Sequence, residues 1–275
     1  MLVDNELIAR AVDVNAALMA LRSEAIDTPL GRFRRDRSAP GIYDANHVSH
    51  PAVSTPAEVD ALLARMEQEY AGFGHRRVDV DFRTHPLLVS RLALEGYKRD
   101  DALVMLLEGE LQGPPPADHD IRPITTDEQW RRLAGLMRKD WVEHERTVHK
   151  REPDMAVCEQ MIALKRAQAP DVQYVLAYVD GEPAGYFSSW AGINGVGQVE
   201  DLFVLPEYRN RGIARALLHR CVRDCRKMGA REVVIAADPG DTPKNIYASL
   251  GWQPVAVVSF YLKQLKGQDR APGAP

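Results

Sequence analysis

The sequence predicts an α/β protein of the mixed, α+β kind, built from two similar units in tandem. Three observations carry this. Helix-period and strand-period runs alternate along both parts of the chain. "LQGPPPADHD", residues 111–120, interrupts them, and its proline run excludes helix and sheet interior. The two parts also end alike: Pro51 and Pro206, Gly74 and Gly229, and Gly96 and Gly251 each lie 155 positions apart. In that register Ala61, Leu62 and Leu63 fall on Ala216, Leu217 and Leu218, and Tyr97 on Trp252. Such self-similarity is the mark of a duplicated unit. The expected division is 1–112, a linker at 113–118, a second unit at 119–265, and a disordered tail at 266–275.

In the first unit the spacing predicts a helix in "PAEVDALLARMEQEYAGFGH", a strand in "RRVDVDF", a helix in "HPLLVSRLALEGY" and a strand in "DALVMLLEG". "GRFRRDR", residues 31–37, reads as a solvated loop or hairpin. The second unit opens with a short strand, "DIRPIT". Two helices follow, "TDEQWRRLAGLMRKDWVEHE" with Thr126 as N-cap, and "MAVCEQMIALKRAQ". "VQYVLAYVD", "PAGYFSSWA" and "GQVEDLFV" read as strands. "IARALLHRCVRDCRKMG" carries an apolar stripe at Ile213, Leu217, Cys221, Cys225 and Met228 and stops at a glycine. A buried strand "REVVIAAD", a short helix "PKNIYASLGW" and a strand "PVAVVSFYL" close the chain.

Composition narrows the class. The chain of 275 residues is 45% hydrophobic and 27% charged, as soluble globular proteins are. No apolar run approaches the roughly 18 residues of a membrane span. The opening "MLVDNELIAR" has acids where a secretory signal has positive charge, and three cysteines make no disulfide framework, so a cytoplasmic location is expected. A net charge of −4 argues against a nucleic-acid partner. No metal-ligand spacing is found; Cys221 and Cys225 complete an apolar stripe.

The informative stretch is "VLPEYRNRGIAR", residues 204–215. A strand runs into it and a helix starts from it. The first turn of that helix offers unpartnered N–H groups at its positive end, which suits an anion. Gly212 lets the anion close in on the backbone, Ala214 is small, and Arg209, Arg211 and Arg215 add charge suited to phosphate. The common nucleotide loops are absent.

Arg209-Asn210-Arg211-Gly212-Ile213-Ala214 matches the [RQ]-x-x-G-x-[GA] acyl-CoA loop of the GCN5-related N-acetyltransferases (GNAT superfamily). "VEDLFVLPEYRNRGIARALL" and "NIYASLGW" resemble the same family, over roughly residues 119–263. The resemblance implies two units, each a mixed, twisted sheet flanked by helices, with a splayed central strand pair in the second. It implies acetyl-CoA as acyl donor and no metal, with pantetheine against Phe203 and Val204, pyrophosphate at Arg209–Arg215, and Asn245 near the pantetheine arm. Tyr247 matches the family's acid for the departing thiolate. Glu200 is the favoured base, with Asp201, Asp238 and Asp241 as alternatives. Glu200 and Asp201 are neighbours on a strand, so they are expected on opposite faces. Trp141, Glu143, His144 and Asp201 are the candidate acceptor residues, while Trp190 reads as packing.

At the 155 offset, Arg209, Gly212, Ala214 and Tyr247 fall on Ser54, Ala57, Val59 and Leu92. The first unit therefore reads as a degenerate copy without the loop or the acid, in an arrangement resembling mycothiol-synthase-like tandem acetyltransferases. The expected function is transfer of acetyl from acetyl-CoA to a primary amine of a small molecule or peptide, by a monomer or homodimer. A CoA-binding sensor without turnover, or transfer to a hydroxyl, is the alternative.

Overall fold

The computed structural model describes residues 4–240 and 242–265. The expected disordered tail and Asp241 lie outside the described residues.

The first half contains α1 (Asn5–Met19), β1 (Glu24–Thr28), β2 (Gly31–Arg35), β3 (His47–Ser49), α2 (Pro56–Glu69), β4 (His75–Val80), α3 (Pro86–Leu94) and β5 (Lys98–Leu107). The second contains β6 (Asp120–Pro123), α4 (Asp127–Thr147), α5 (Met155–Gln168), β7 (Val172–Val179), β8 (Glu182–Ile193) and β9 (Val196–Val204). It continues with α6 (Ile213–Lys227), β10 (Glu232–Ala237), α7 (Pro243–Ser249) and β11 (Gln253–Gln264). Every element expected from residue 56 onward is present. Before it α1, β1 and β3 were missed. β3 is three residues long, too short to show a period. α1 does bury Leu7, Ala11, Val12, Val14 and Leu18 at helical spacing, and its start is set by Asp4, whose carboxylate accepts from Glu6 N–H. The arginines of 31–37 do form a hairpin strand: Arg32 pairs with Asp27 at 2.5 Å, and Arg35 with Glu24 at 2.8 Å and Glu69 at 2.9 Å.

All eleven described strands belong to one sheet, in the order β1-β2-β3-β4-β11-β5-β10-β9-β8-β7-β6. Each half lends its last strand to the other. β11 lies between β4 and β5, and β5 lies between β11 and β10. The central pair is antiparallel, and its register carries the repeat. Val257 opposes Leu103 and Val258 opposes Ala102, so the 155 offset turns one pair into the other. Ser259 against Asp101 maps onto Ala256 against Val104 in the same way. A local two-fold axis therefore passes through the β5–β11 pair, broken by a bulge between Pro254 and Ala256.

Burial follows from this. β5 is covered on both faces: Val104 and Leu106 join the core under α1, α4 and α5, while Met105 and Leu107 join the core under α6. That explains its unbroken apolar run. α1 also crosses from its own half, packing Leu7, Ala11, Val12, Val14 and Leu18 into the second half's core. The proline-rich segment is tied down at several points. Gln112 N–H donates to Leu250 O, and Arg215 donates to Gln112 O and Pro114 O.

Neither half can complete its sheet alone. Residues 119–265 expressed by themselves should be insoluble or lack cooperative unfolding, and coexpression with residues 1–118 should restore both. The intact chain should unfold in a single transition by circular dichroism. Two well-separated transitions would contradict the exchanged-strand core.

Candidate active site

β9 and β10 are parallel and paired only at their starts, Val196–Gln198 against Glu232–Val234. β9 continues to Val204 and β10 to Ala237, so the strands part and leave a wedge. The open edge of β9 is identifiable from its hydrogen bonds. Leu205 N–H donates to Ala184 O on β8. Amides alternate along a strand, so Val204 turns its N–H and carbonyl toward the wedge. The Val204 carbonyl accepts from Arg209 Nε at 2.9 Å, and the same guanidinium pairs with Glu143 Oε1 on α4 at 2.6 Å. Phe203 is buried beneath it.

The loop then climbs to α6. Gly212 is the N-cap of α6 at φ +82° in the left-handed region, which glycine adopts without penalty. A Cβ there would meet only His119 Nε2 at 3.5 Å, so backbone conformation requires the glycine first. Asn210 also has positive φ, 61°. No side chain caps α6, and the N–H groups of Ile213, Ala214 and Arg215 have no partner within the helix. The equivalent terminus in the first half is closed. Thr55 and Glu58 form a capping box on α2, and Glu58 Oε2 accepts from Ser54 N–H at 2.8 Å and Thr55 N–H at 3.0 Å. In α2 the Thr55 hydroxyl accepts the first-turn N–H of Glu58, whereas no side chain does so in α6.

The other expected cofactor residues are distributed as follows. Arg211 donates to Glu207 O and lies over the Tyr208 ring. Arg215 turns to the proline-rich segment. Asn245 is exposed on α7. Tyr247, on the same helix, is 5% exposed in the core beneath α6, its ring 6.1 Å from Trp252.

Across the wedge lies a cluster of carboxylates, and here one expectation is corrected. Glu200 and Asp201 do not point to opposite faces. β9 bulges against β8 between the pairs Ser188–Glu200 and Tyr186–Phe203, and Asp201 has φ +68°. The bulge breaks the alternation and turns both carboxylates toward α5. Lys165 Nζ on α5 bonds both oxygens of Asp201, at 2.7 and 2.6 Å, with Tyr174 OH 3.5 Å away. Glu200 Oε2 accepts from Gln198 Nε2 at 3.0 Å. On α4, Asp140 Oδ2 accepts from Tyr186 OH at 2.6 Å.

Burial raises the Glu200 pKa to about 7, reinforced by the Asp201 charge and opposed by Lys165 and Gln198. Burial likewise raises Asp140 to about 6, against the Tyr186 hydrogen bond, with Asp201 and Glu143 adding like charge. Burial alone would lower the Lys165 pKa, but Asp201 outweighs it and holds the ammonium well charged.

Of the expected acceptor residues, Glu143 and Asp201 join this cluster. Trp141 packs on the α1–α4–α5 core, with its Nε1 buried and without a hydrogen-bond partner among the described residues. His144 sits edge-on to His149 at 4.8 Å. Trp190 is core, as expected. Among the described residues no group of His, Cys, Asp and Glu could hold a metal ion, and no helix is long and apolar enough to cross a membrane. Sequence reasoning missed Asp140, Lys165, Tyr186 and Gln198. Asp140 could have been found, because it lies three residues before Glu143 and shares its helix face. Lys165 carries no local signal.

Residues 130–252 match the Acetyltransferase (GNAT) family. The chain has the fold of tandem GNAT proteins. It superposes on a GCN5-related N-acetyltransferase from Kribbella flavida with TM-score 0.67 at 19% identity, covering 96% of each chain. It superposes on a tandem GNAT protein from the clavulanic acid biosynthesis pathway with TM-score 0.59 at 16% identity, covering 98% of this chain and 97% of that one. In sequence it is 27% identical over 148 residues to an aminoglycoside N(6')-acetyltransferase type 1 of Salmonella enteritidis, spanning 53% of this chain and 99% of that protein.

A carboxyl with a higher pKa folded than unfolded costs stability as pH rises between the two values. For Asp140 that window runs from about 4 to about 6. Asp140→Asn keeps an acceptor for Tyr186 and should stabilise the protein at pH 8 by on the order of 1–2 kcal/mol. At pH 4 the gain should vanish. Denaturant unfolding at the two pH values checks this.

Proposed function

We propose that the protein transfers an acyl group, by default acetyl from acetyl-CoA, to a primary amine of a small polycationic acceptor. The observation that carries the reading is the parting of β9 and β10, with an uncapped helix N-terminus at one end and a carboxylate of near-neutral pKa beside it. The residues present fit the donor. Val204 offers backbone N–H and C=O along the wedge, as an edge strand does to an added strand. The first turn of α6 offers N–H groups to the pyrophosphate, and Arg209 lies within reach of the same opening.

When bound, acetyl-CoA would supply the activated acyl group. The chain's own residues then have three tasks. Glu200 takes the proton of the acceptor ammonium, which is no nucleophile until it is neutral. Its pKa of about 7 lets it be both ionised and basic near neutral pH. The Val204 N–H is the donor for the charge that develops on the acyl oxygen. Tyr247 is the acid for the departing thiolate. The acceptor class follows from charge. Asp140, Glu143, Glu200, Asp201 and Asp44 of the first half outnumber the cations that pair with them, Arg209 on Glu143, Lys165 on Asp201 and Arg77 on Asp44. That supports a substrate with more than one ammonium group, as does the similarity to an aminoglycoside acetyltransferase. Arg211 is assigned to the cofactor by its position in the motif and Asn245 by the family resemblance, while Arg215, next to the motif, is engaged by the proline-rich segment.

Release of free CoA from acetyl-CoA, measured with an aminoglycoside, a linear polyamine and a monoamine, tests the reading. Turnover should be fastest with the polycations. Tight CoA binding with no thiol release for any amine would make this a binding module instead. The rate should rise with pH through about 7, because the base must be deprotonated. Glu200→Gln should remove that limb and lower kcat by about 100-fold or more, and Tyr247→Phe should lower kcat at least 10-fold with CoA affinity unchanged.

A further inference from the structure

Glu200 is not held by its own half alone. Gln198 Nε2 donates two hydrogen bonds, one to Glu200 Oε2 at 3.0 Å and one to Asn15 Oδ1 at 3.0 Å. Asn15 lies on α1 of the first half, 183 residues away in sequence. Asn15 is 1% exposed and Gln198 0%. A pair of buried side-chain amides is costly unless it hydrogen-bonds, so its presence in a core otherwise built of Val12, Val14 and Leu18 asks for a reason.

The reason is orientation. A glutamine amide can sit either way round. Turned over, it would aim Oε1 at the Glu200 carboxylate, acceptor against acceptor. Gln198 Oε1 is buried with no partner among the described residues, so no bond on that side sets the amide. On the other side both Asn15 Oδ1 and the Glu200 carboxylate accept from Nε2, and the Asn15 bond ties that nitrogen to α1. With Nε2 so fixed, its second hydrogen points at Glu200.

We propose that Asn15 is a positioning residue for the catalytic base: through Gln198 it fixes the carboxylate of Glu200 and favours its ionised form, making the first half a working part of the acceptor site. The proposal rests on the reading of Glu200 as base. The groups facing Glu200 are Asp201 beside it, Lys165 on α5, Tyr174 on β7, and Asp44 from the turn before β3, which Arg77 holds at 2.5 Å. Asp13, the charged residue beside Asn15 on α1, is engaged by His50 and Arg83. Asn15 is therefore the group through which α1 acts on Glu200.

A hydrogen bond donated to the ionised form lowers a carboxyl pKa, so its loss raises it. The experiment is the pH profile of kcat/KM for CoA release with a saturating acetyl-CoA concentration. Asn15→Leu should move the acidic limb upward by about half to one pH unit. Activity at pH 7 should then fall several-fold and recover by pH 9, with KM for acetyl-CoA unchanged. Gln198→Leu should give the same displacement, and the double variant no more than Gln198→Leu alone, because the two side chains act in series. Asn15→Ala is read in the same way should leucine not be accommodated. A lowered plateau with an unmoved limb would reduce Asn15 to packing, and additive displacements would break the series; either result overturns the proposal. Glu200→Gln separates the underlying reading. If that variant keeps the limb, the base assignment fails and there is nothing for Asn15 to position. If it loses the limb while Asn15→Leu leaves it in place, the positioning role fails alone.

Discussion

The antiparallel pairing of β5 with β11 is the constraint on which the rest depends. Each strand comes from the end of a different half, and each completes the other half's sheet. Because β5 sits against β10 and buries alternate side chains in both cores, the second half's core is not closed by its own chain. The pairing also brings α1 over β8, β9 and β10, where its apolar face replaces solvent.

The two copies show how little separates a closed helix terminus from an open one. In both, a proline precedes the loop and the helix packs on a sheet. In α2, threonine and glutamate occupy the capping positions and satisfy the exposed N–H groups internally. In α6, which begins two residues later in the 155 register, a left-handed glycine leaves the first-turn N–H groups free of side-chain caps, and the dipole remains available. The framework tolerates both because the helix is held by its buried stripe, not by its cap.

On the other side of the wedge, charge is concentrated by geometry rather than by composition. A net charge of −4 over the chain says little. The bulge at Asp201 places two adjacent carboxylates on one face, α4 brings Asp140 and Glu143, and the turn before β3 brings Asp44. Lys165 pairs with Asp201, while burial, with the Asp201 charge adding to it, raises Glu200 to about 7.

The sequence by itself determined the duplication, the elements from residue 56 onward and the loop at 209–214. These are local signals: hydrophobic period, proline and glycine punctuation, and contiguous residues of one motif. Glu200 and Tyr247 entered as expectations, through words of a family pattern. α1 was missed although Leu7, Ala11, Val14 and Leu18 carry a helical period, and β3 is too short to have one. Only the tertiary structure decided that the halves exchange strands, because a strand's pattern records burial on two faces and not which neighbour supplies its hydrogen bonds. Only it decided that Glu200 and Asp201 share a face, since a bulge depends on the opposing strand. The partners of Glu200 were likewise illegible. Lys165 and Asn15 are distant in sequence, and a contact closed by folding leaves no spacing to read.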